Sequence, residues 1–163
     1  MSDETEAAAG EAPAQQFSIK KLYVKDLSFE SPKTPEVFGG KAARNPNINL
    51  QINTETRPGN DDMFEVVLNI TVTATVEDST LYLVEIKQAG LFLIKGFDQS
   101  VRDNLLGSHC PSALFPFARE VIAGMVAKGG FPQLILEPIN FDALYAQHLS
   151  KIKQNAPAPD TPQ

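Results

Sequence analysis

"MFEVVLNITVTATVEDSTLYLVEIKQAGLFLI" spans Met63 to Ile94 and holds two strand signals joined by a tight turn. In the first half Val66, Leu68, Ile70, Val72, Ala74 and Val76 share one parity. Glu65, Asn69, Thr71, Thr73 and Thr75 take the other, with Val67 the apolar exception. A period of two with one apolar and one polar face marks a sheet covered on one side and wet on the other. In the second half Tyr82, Val84 and Ile86 form one face, and Leu81, Leu83, Glu85 and Lys87 the other. Only "EDS" separates the runs, so they read as an antiparallel hairpin.

Two more strands precede the hairpin. "NINLQIN" (47–53) alternates Ile48, Leu50 and Ile52 with Asn47, Asn49, Gln51 and Asn53, and "TRPGNDD" (56–62) reads as a turn. "SIKKLYVKDLSFESP" (18–32) alternates too, but its phase slips. Phe17 and Ile19 share one parity, Leu22 and Val24 the other, and Leu27 and Phe29 return to the first. A bulge or twist produces such slips. Asp26, Ser28 and Glu30 lie opposite Leu27 and Phe29, as an ordinary wet face or as a docking point.

The period changes near Asp98. Val101, Leu105 and Leu106 fit a short helix. After "GSHCPS", Phe115, Ala118, Ile122, Met125 and Val126 recur at three and four residues, which predicts a helix over 114–128. Pro116 would sit in its first turn, and Gly129 and Gly130 would end it. "FPQLILEPI" is extended. Asn140 caps a last helix with a stripe of Leu144, Tyr145, His148 and Leu149. Strands first and helices last predict an α+β fold. The 114–128 helix is apolar or small nearly all round, with Arg119, Glu120 and Lys128 its only charges. It needs cover from a larger core or from another copy.

The chain has 163 residues and a formal net charge of −6, which suits one domain and argues against direct nucleic-acid binding. Residues 1–16 carry Asp3, Glu4, Glu6 and Glu11 with no Lys or Arg, and 154–163 carry three prolines; both read as disordered tails around a domain at 17–153. The single cysteine, Cys110, permits no internal disulfide, and neither a signal peptide nor a membrane span is legible. A cytoplasmic protein is expected.

Chemistry is sparse. His109 and Cys110 are adjacent, so their side chains diverge, and no further His or Cys completes a zinc set. No phosphate loop or nucleophile elbow appears. Asp61 and Asp62 sit in a polar turn. No catalytic residue, metal or cofactor is expected. "QAGLFLIKGF" (88–97) is an apolar run between Gly90 and Gly96. It could line a groove for extended peptide or be a twisted strand packed under the helices.

"YVKDLSFESP" (23–32), "FEVVLNITVTA" (64–74), "AGLFLI" (89–94) and "CPSALFPFAREVIAGMVAKGGFPQLILEPINFDALY" (110–145) together resemble the SecB family of bacterial export chaperones. The resemblance implies a protomer with a four-stranded antiparallel sheet packed on C-terminal helices, and a homotetramer, a dimer of dimers with the long helices between dimers. Ala118, Ile122, Ala123, Gly124 and Met125 would then face a partner copy. It implies an ATP-independent holdase that keeps export precursors unfolded and passes them to SecA of the Sec translocon. Phe38, Leu91, Phe92, Ile94 and Phe97 are the expected client-groove lining. Asp26, Glu30, Leu83 and Glu85 match positions that contact the basic, zinc-containing SecA tail. The competing reading is a scaffold whose oligomer recognises one folded partner. A holdase would suppress aggregation of unrelated proteins without nucleotide; a scaffold would not.

Overall fold

In the computed structural model of the chain, residues 13–40 and 45–156 are described. The strands are β1 (Gln16–Glu30), β2 (Asn47–Pro58), β3 (Met63–Val76) and β4 (Ser79–Lys95). Helical structure follows as α1 (Gln99–Asn104), a π-helical turn (Leu105–His109), α2 (Cys110–Lys128) and α3 (Phe141–Asn155). Of the expected tails, 1–12 and 157–163 lie outside the described residues; Gln16 belongs to β1, and Gln154 and Asn155 to α3. All pairings are antiparallel, and the sheet order is β1-β4-β3-β2. β1 and β2 are therefore the two edges.

The phase slips of β1 are two bulges. Ile19 pairs with Phe92 and Lys21 with Leu91, leaving Lys20 unmatched; Val24 pairs with Gln88 and Asp26 with Lys87, leaving Lys25 unmatched. Each extra residue resets the alternation. Phe17, Ile19, Leu22, Val24, Leu27 and Phe29 consequently all stand on the face that carries Val84, Ile86 and Phe92 of β4.

α2 covers that face. Leu114, Ala118, Ile122 and Val126, four residues apart, are fully buried together with Val66, Leu68, Val72 and Val84 of the sheet. A Cβ on Gly90 would lie 3.1 Å from Leu114 and 2.8 Å from the Phe92 ring, so this glycine makes room for the helix.

Two expectations change. The second strand does not stop at 53: β2 pairs with β3 through Pro58, and the turn narrows to Gly59–Asp62, with Asp61 and Asp62 both at positive φ. Thr54 and Thr56 occupy the inward parity there, which hid the strand from an apolar pattern. The short helix and the long helix are also one continuous helical path, because the π turn carries the chain through "GSHCPS". α2 therefore starts at Cys110, and Pro116 is an interior proline rather than a first-turn one.

Candidate functional site

The helix-side face of the sheet is only partly covered. α2 seals β3 and β4, but the inward row of β2 lies beyond its reach. Ile48 and Leu50 are each 38% exposed, although their partners Ala74 and Val72 are fully buried. An apolar row left half open beside a sealed core makes a candidate binding surface.

α3 forms the far wall. Its first turns are tied down. Asn140 accepts from the Ala143 N–H at 3.0 Å, and Phe141 is buried edge-on to Phe115. The Ser108 hydroxyl donates to Asp142. The Tyr145 ring lies so close to Gly107 that a Cβ there would meet it at 2.4 Å. Further along, α3 leaves Leu144, Leu149 and Ile152 41%, 41% and 53% exposed. Between these residues and Ile52 of β2 is a cavity of about 490 Å³. A second cavity, about 280 Å³, opens at the other end of the row, between Ile48, Tyr82, Phe131 and Leu134. Its wall is aromatic: Tyr82 and Phe131 are 4.9 Å apart, and Phe38 lies 5.5 Å from Phe131.

This arrangement corrects the expected groove lining. Phe92 and Ile94 are core residues beneath α2, 0% and 2% exposed, because the even parity of β4 faces inward. Leu91 is half-buried on the opposite face, and Phe97 packs half-buried against the core. Phe38 alone of the five stands by a cavity, through Phe131. The run between Gly90 and Gly96 is thus a strand packed under the helices. Sequence reading did not single out Ile48, Leu50, Ile52, Leu149 and Ile152 as candidate site residues. Their period was visible, but the limit of α2 coverage was not.

The outer face of the sheet carries the acidic group. Glu30 pairs with Leu83, Ser28 with Glu85, and Asp26 with Lys87. Glu30 and Glu85 are exposed beside half-buried Leu83, and Asp26 is exposed about 13 Å farther along the same face, opposite Lys87. Among the described residues the ion pairs are Lys25–Glu65 and Arg57–Glu55, so the three carboxylates have no ion-pair partner there. Farther along this face Glu65 accepts from Lys25 Nζ at 2.7 Å and from the Tyr23 hydroxyl. The Lys25 hydrogen bond, then that of Tyr23, holds the Glu65 carboxyl below its ordinary range. Burial, then Glu65, pushes Tyr23 up to about 12.

The expected oligomer residues divide. Ala118 and Ile122 are fully buried within the protomer itself, and Ala123 is 6% exposed, so the first two face their own sheet and not a partner. Met125 is half-buried, and a Cβ on Gly124 would meet nothing within 4 Å. Phe117, 44% exposed, marks the outward side of α2. His109 packs edge-on to Phe17, 5.0 Å between ring centroids, and buried Cys110 has its thiol pushed up to about 12 by desolvation. No group of three or more metal-ligating side chains exists among the described residues, and no helix there is long and apolar enough to cross a membrane.

Known proteins share this organisation. Residues 10–152 match the family model described as preprotein translocase subunit SecB. A protein-export protein SecB of Nitrosococcus oceani is 52% identical over 132 residues, 81% of this chain and 80% of the relative. One from Pseudomonas syringae pv. tomato is 44% identical over 153 residues, covering 94% and 92%. A SecB-like chaperone of Mycobacterium tuberculosis, solved with an antitoxin-derived peptide, superposes with a TM-score of 0.64 at 16% identity, covering 76% of this chain and 90% of that one; this shows a common fold. With the family model spanning most of the domain and relatives this similar over most of their length, the chain belongs to the SecB family.

Proposed function

We propose that the protein is an ATP-independent holdase that keeps export precursors unfolded and delivers them to SecA of the Sec translocon, acting in the cytoplasm as a homotetramer without catalytic residues or cofactors. The half-open apolar row of Ile48, Leu50 and Ile52 facing α3 carries this reading. An unfolded chain offers apolar side chains to such a row, and each one fully buried contributes about 1.5–3 kcal/mol before ordering costs are subtracted. Binding of that kind needs no nucleotide and favours no single sequence. A scaffold for one folded partner would have less use for two cavities joined by an open apolar strip.

The acidic face complements the groove. Glu30 and Glu85 flank Leu83, and Asp26 lies two pairs farther along, on the side of the sheet away from α2 and α3. A basic zinc module can meet that surface by charge while the groove still holds a client. The outward side of α2, with Phe117, Gly124 and Met125, suits a helix interface between dimers; Gly124 permits close approach. The decisive experiment is suppression of aggregation of several unrelated denatured proteins without nucleotide. Protection of all of them supports the holdase; protection of none supports the scaffold.

A further inference from the structure

We infer that the acidic segment before Pro13 docks on its own protomer, lying along the outer face of the sheet over Leu91 and Leu93 with Glu11 against Lys95 and Glu6 against Lys21. The outer face has two unlike ends. One carries Glu30, Leu83 and Glu85. At the other, the register sets Ser18 and Met63 on either side of Leu93, and Lys21 and Glu65 on either side of Leu91. Leu91, Leu93 and Met63 are half-buried, an apolar strip on the side of the sheet turned away from α2. Lys21 and Lys95 stand at its two ends, both exposed, and neither has an ion-pair partner among the described residues. The other charges of this end are engaged or lie aside. Lys25 and Tyr23 hold Glu65, and Arg57 is 3.8 Å from Glu55. Asp61 and Asp62 belong to the β2–β3 turn, on the side of the strip away from β1.

The occupant that fits this strip is part of the same chain. Residues 1–12 hold Asp3, Glu4, Glu6 and Glu11 and no Lys or Arg. Their root is fixed beside the strip. Gln16 pairs with Lys95, and a Cβ on Gly96 would lie 2.6 Å from the Ala14 carbonyl oxygen, so the chain crosses Gly96 on its way into β1. From Ala14 back to Glu11 is three residues, about 10 Å when extended, which brings that carboxylate to Lys95. The levels of Lys95 and Lys21 differ by four residues of β4, about 13 Å. Glu6 and Glu11 are five residues apart, and an extended chain covers up to about 17 Å over that interval. Between them stand Ala7, Ala8, Ala9 and Gly10, small enough to lie flat on Leu91 and Leu93. A short tether holds the segment near the strip at a local concentration of about 1 mM or more, so weak contacts suffice to seat it. Docking brings four acids to two lysines. The outer face then carries one sign of charge at both ends, which steers a basic partner toward it.

The test uses the full-length protein with Ala8→Cys carrying a nitroxide, the native Cys110 being buried. Methyl NMR reads the broadening that the label causes. Leu91 and Leu93 should broaden strongly, and Leu83, at the other end of the same face, and Leu50, on the opposite face, should broaden little. Glu6→Gln with Glu11→Gln should cut the broadening of Leu91 and Leu93 about threefold or more, and so should about 0.5 M salt, because both remove the charge contacts while leaving the tether. Equal broadening of Leu83 and Leu91 overturns the inference, as does broadening that neither the charge variant nor salt reduces. Mixing spin-labelled protomers with isotope-enriched, label-free ones decides which copy is covered. Broadening that appears in the label-free copies, and not within the labelled chain, also overturns it.

Discussion

Glu30 stands directly across from Leu83 in the β1–β4 pairing, on the sheet face turned away from α2. The next outward pair is Ser28 with Glu85, so two acids flank one apolar side chain. The charge reversal Asp26→Lys with Glu85→Lys should weaken binding of an isolated SecA C-terminal tail about tenfold or more at low ionic strength, and wild-type binding should itself weaken as salt rises. Titration calorimetry at two salt concentrations checks both. Unchanged affinity of the double variant would return these acids to a solvated face.

The unmatched Lys25 sets the phase of β1. Deleting it should turn either Leu22 and Val24 or Leu27 and Phe29 to the wrong face and cost on the order of 3 kcal/mol. Lys25→Ala keeps the bulge and loses only the Glu65 ion pair, which is partly exposed, so its cost should stay below about 1 kcal/mol. Urea unfolding of both variants separates the two; equal costs would contradict the role of the bulge.

Glu65 gives the outer face a pH dependence. Its folded-state carboxyl is held below the ordinary 4.5, so its contribution to stability is complete above that value and is lost as pH falls through the folded-state value. Tyr23 is raised from 10.0 to about 12, so its contribution is complete below 10 and is lost as pH rises through 12. Glu65→Gln should therefore be less stable than wild type at neutral pH, with the gap closing in strong acid. A gap constant across urea midpoints from neutral to acid would contradict the assignment.

Gly107 leaves no room for a Cβ beneath Tyr145. Gly107→Ala should loosen α3 and cost about 1–3 kcal/mol. Adding Tyr145→Ala should cost less than it does in wild type, because the clash disappears with the ring. Limited proteolysis within α3 reads the loosening; strict additivity would mean that the two residues do not hold the helix.

Much of this was legible in the residues, and the failures have physical reasons. The alternation of β3 and β4 survives because one face is sealed, and the slips of β1 announced its bulges without locating them at Lys20 and Lys25. The start of α2 was hidden because Gly107, Pro111 and Pro116 are ordinary helix breakers; here Gly107 lies in a π turn and Pro111 in the first turn of α2, where its missing N–H costs little. Ala118 and Ile122 looked like partner-facing residues because a helix apolar on two sides does not disclose which side its own sheet takes. The acidic face could be read because it is local to two strands. The groove could not, since Ile48, Leu50 and Ile52 differ from core residues only in what α2 fails to cover.

The groove is tested most directly by measuring aggregation of a denatured export precursor with Leu50→Asp and Ile52→Asp, alone and combined. Both side chains are partly exposed, so a charge there should leave the fold and the assembly intact while disfavouring apolar contact. The combined variant should lose most of the protection while binding the SecA tail as wild type does. Full protection by a folded, tetrameric double variant would contradict the account and place the client elsewhere on the molecule.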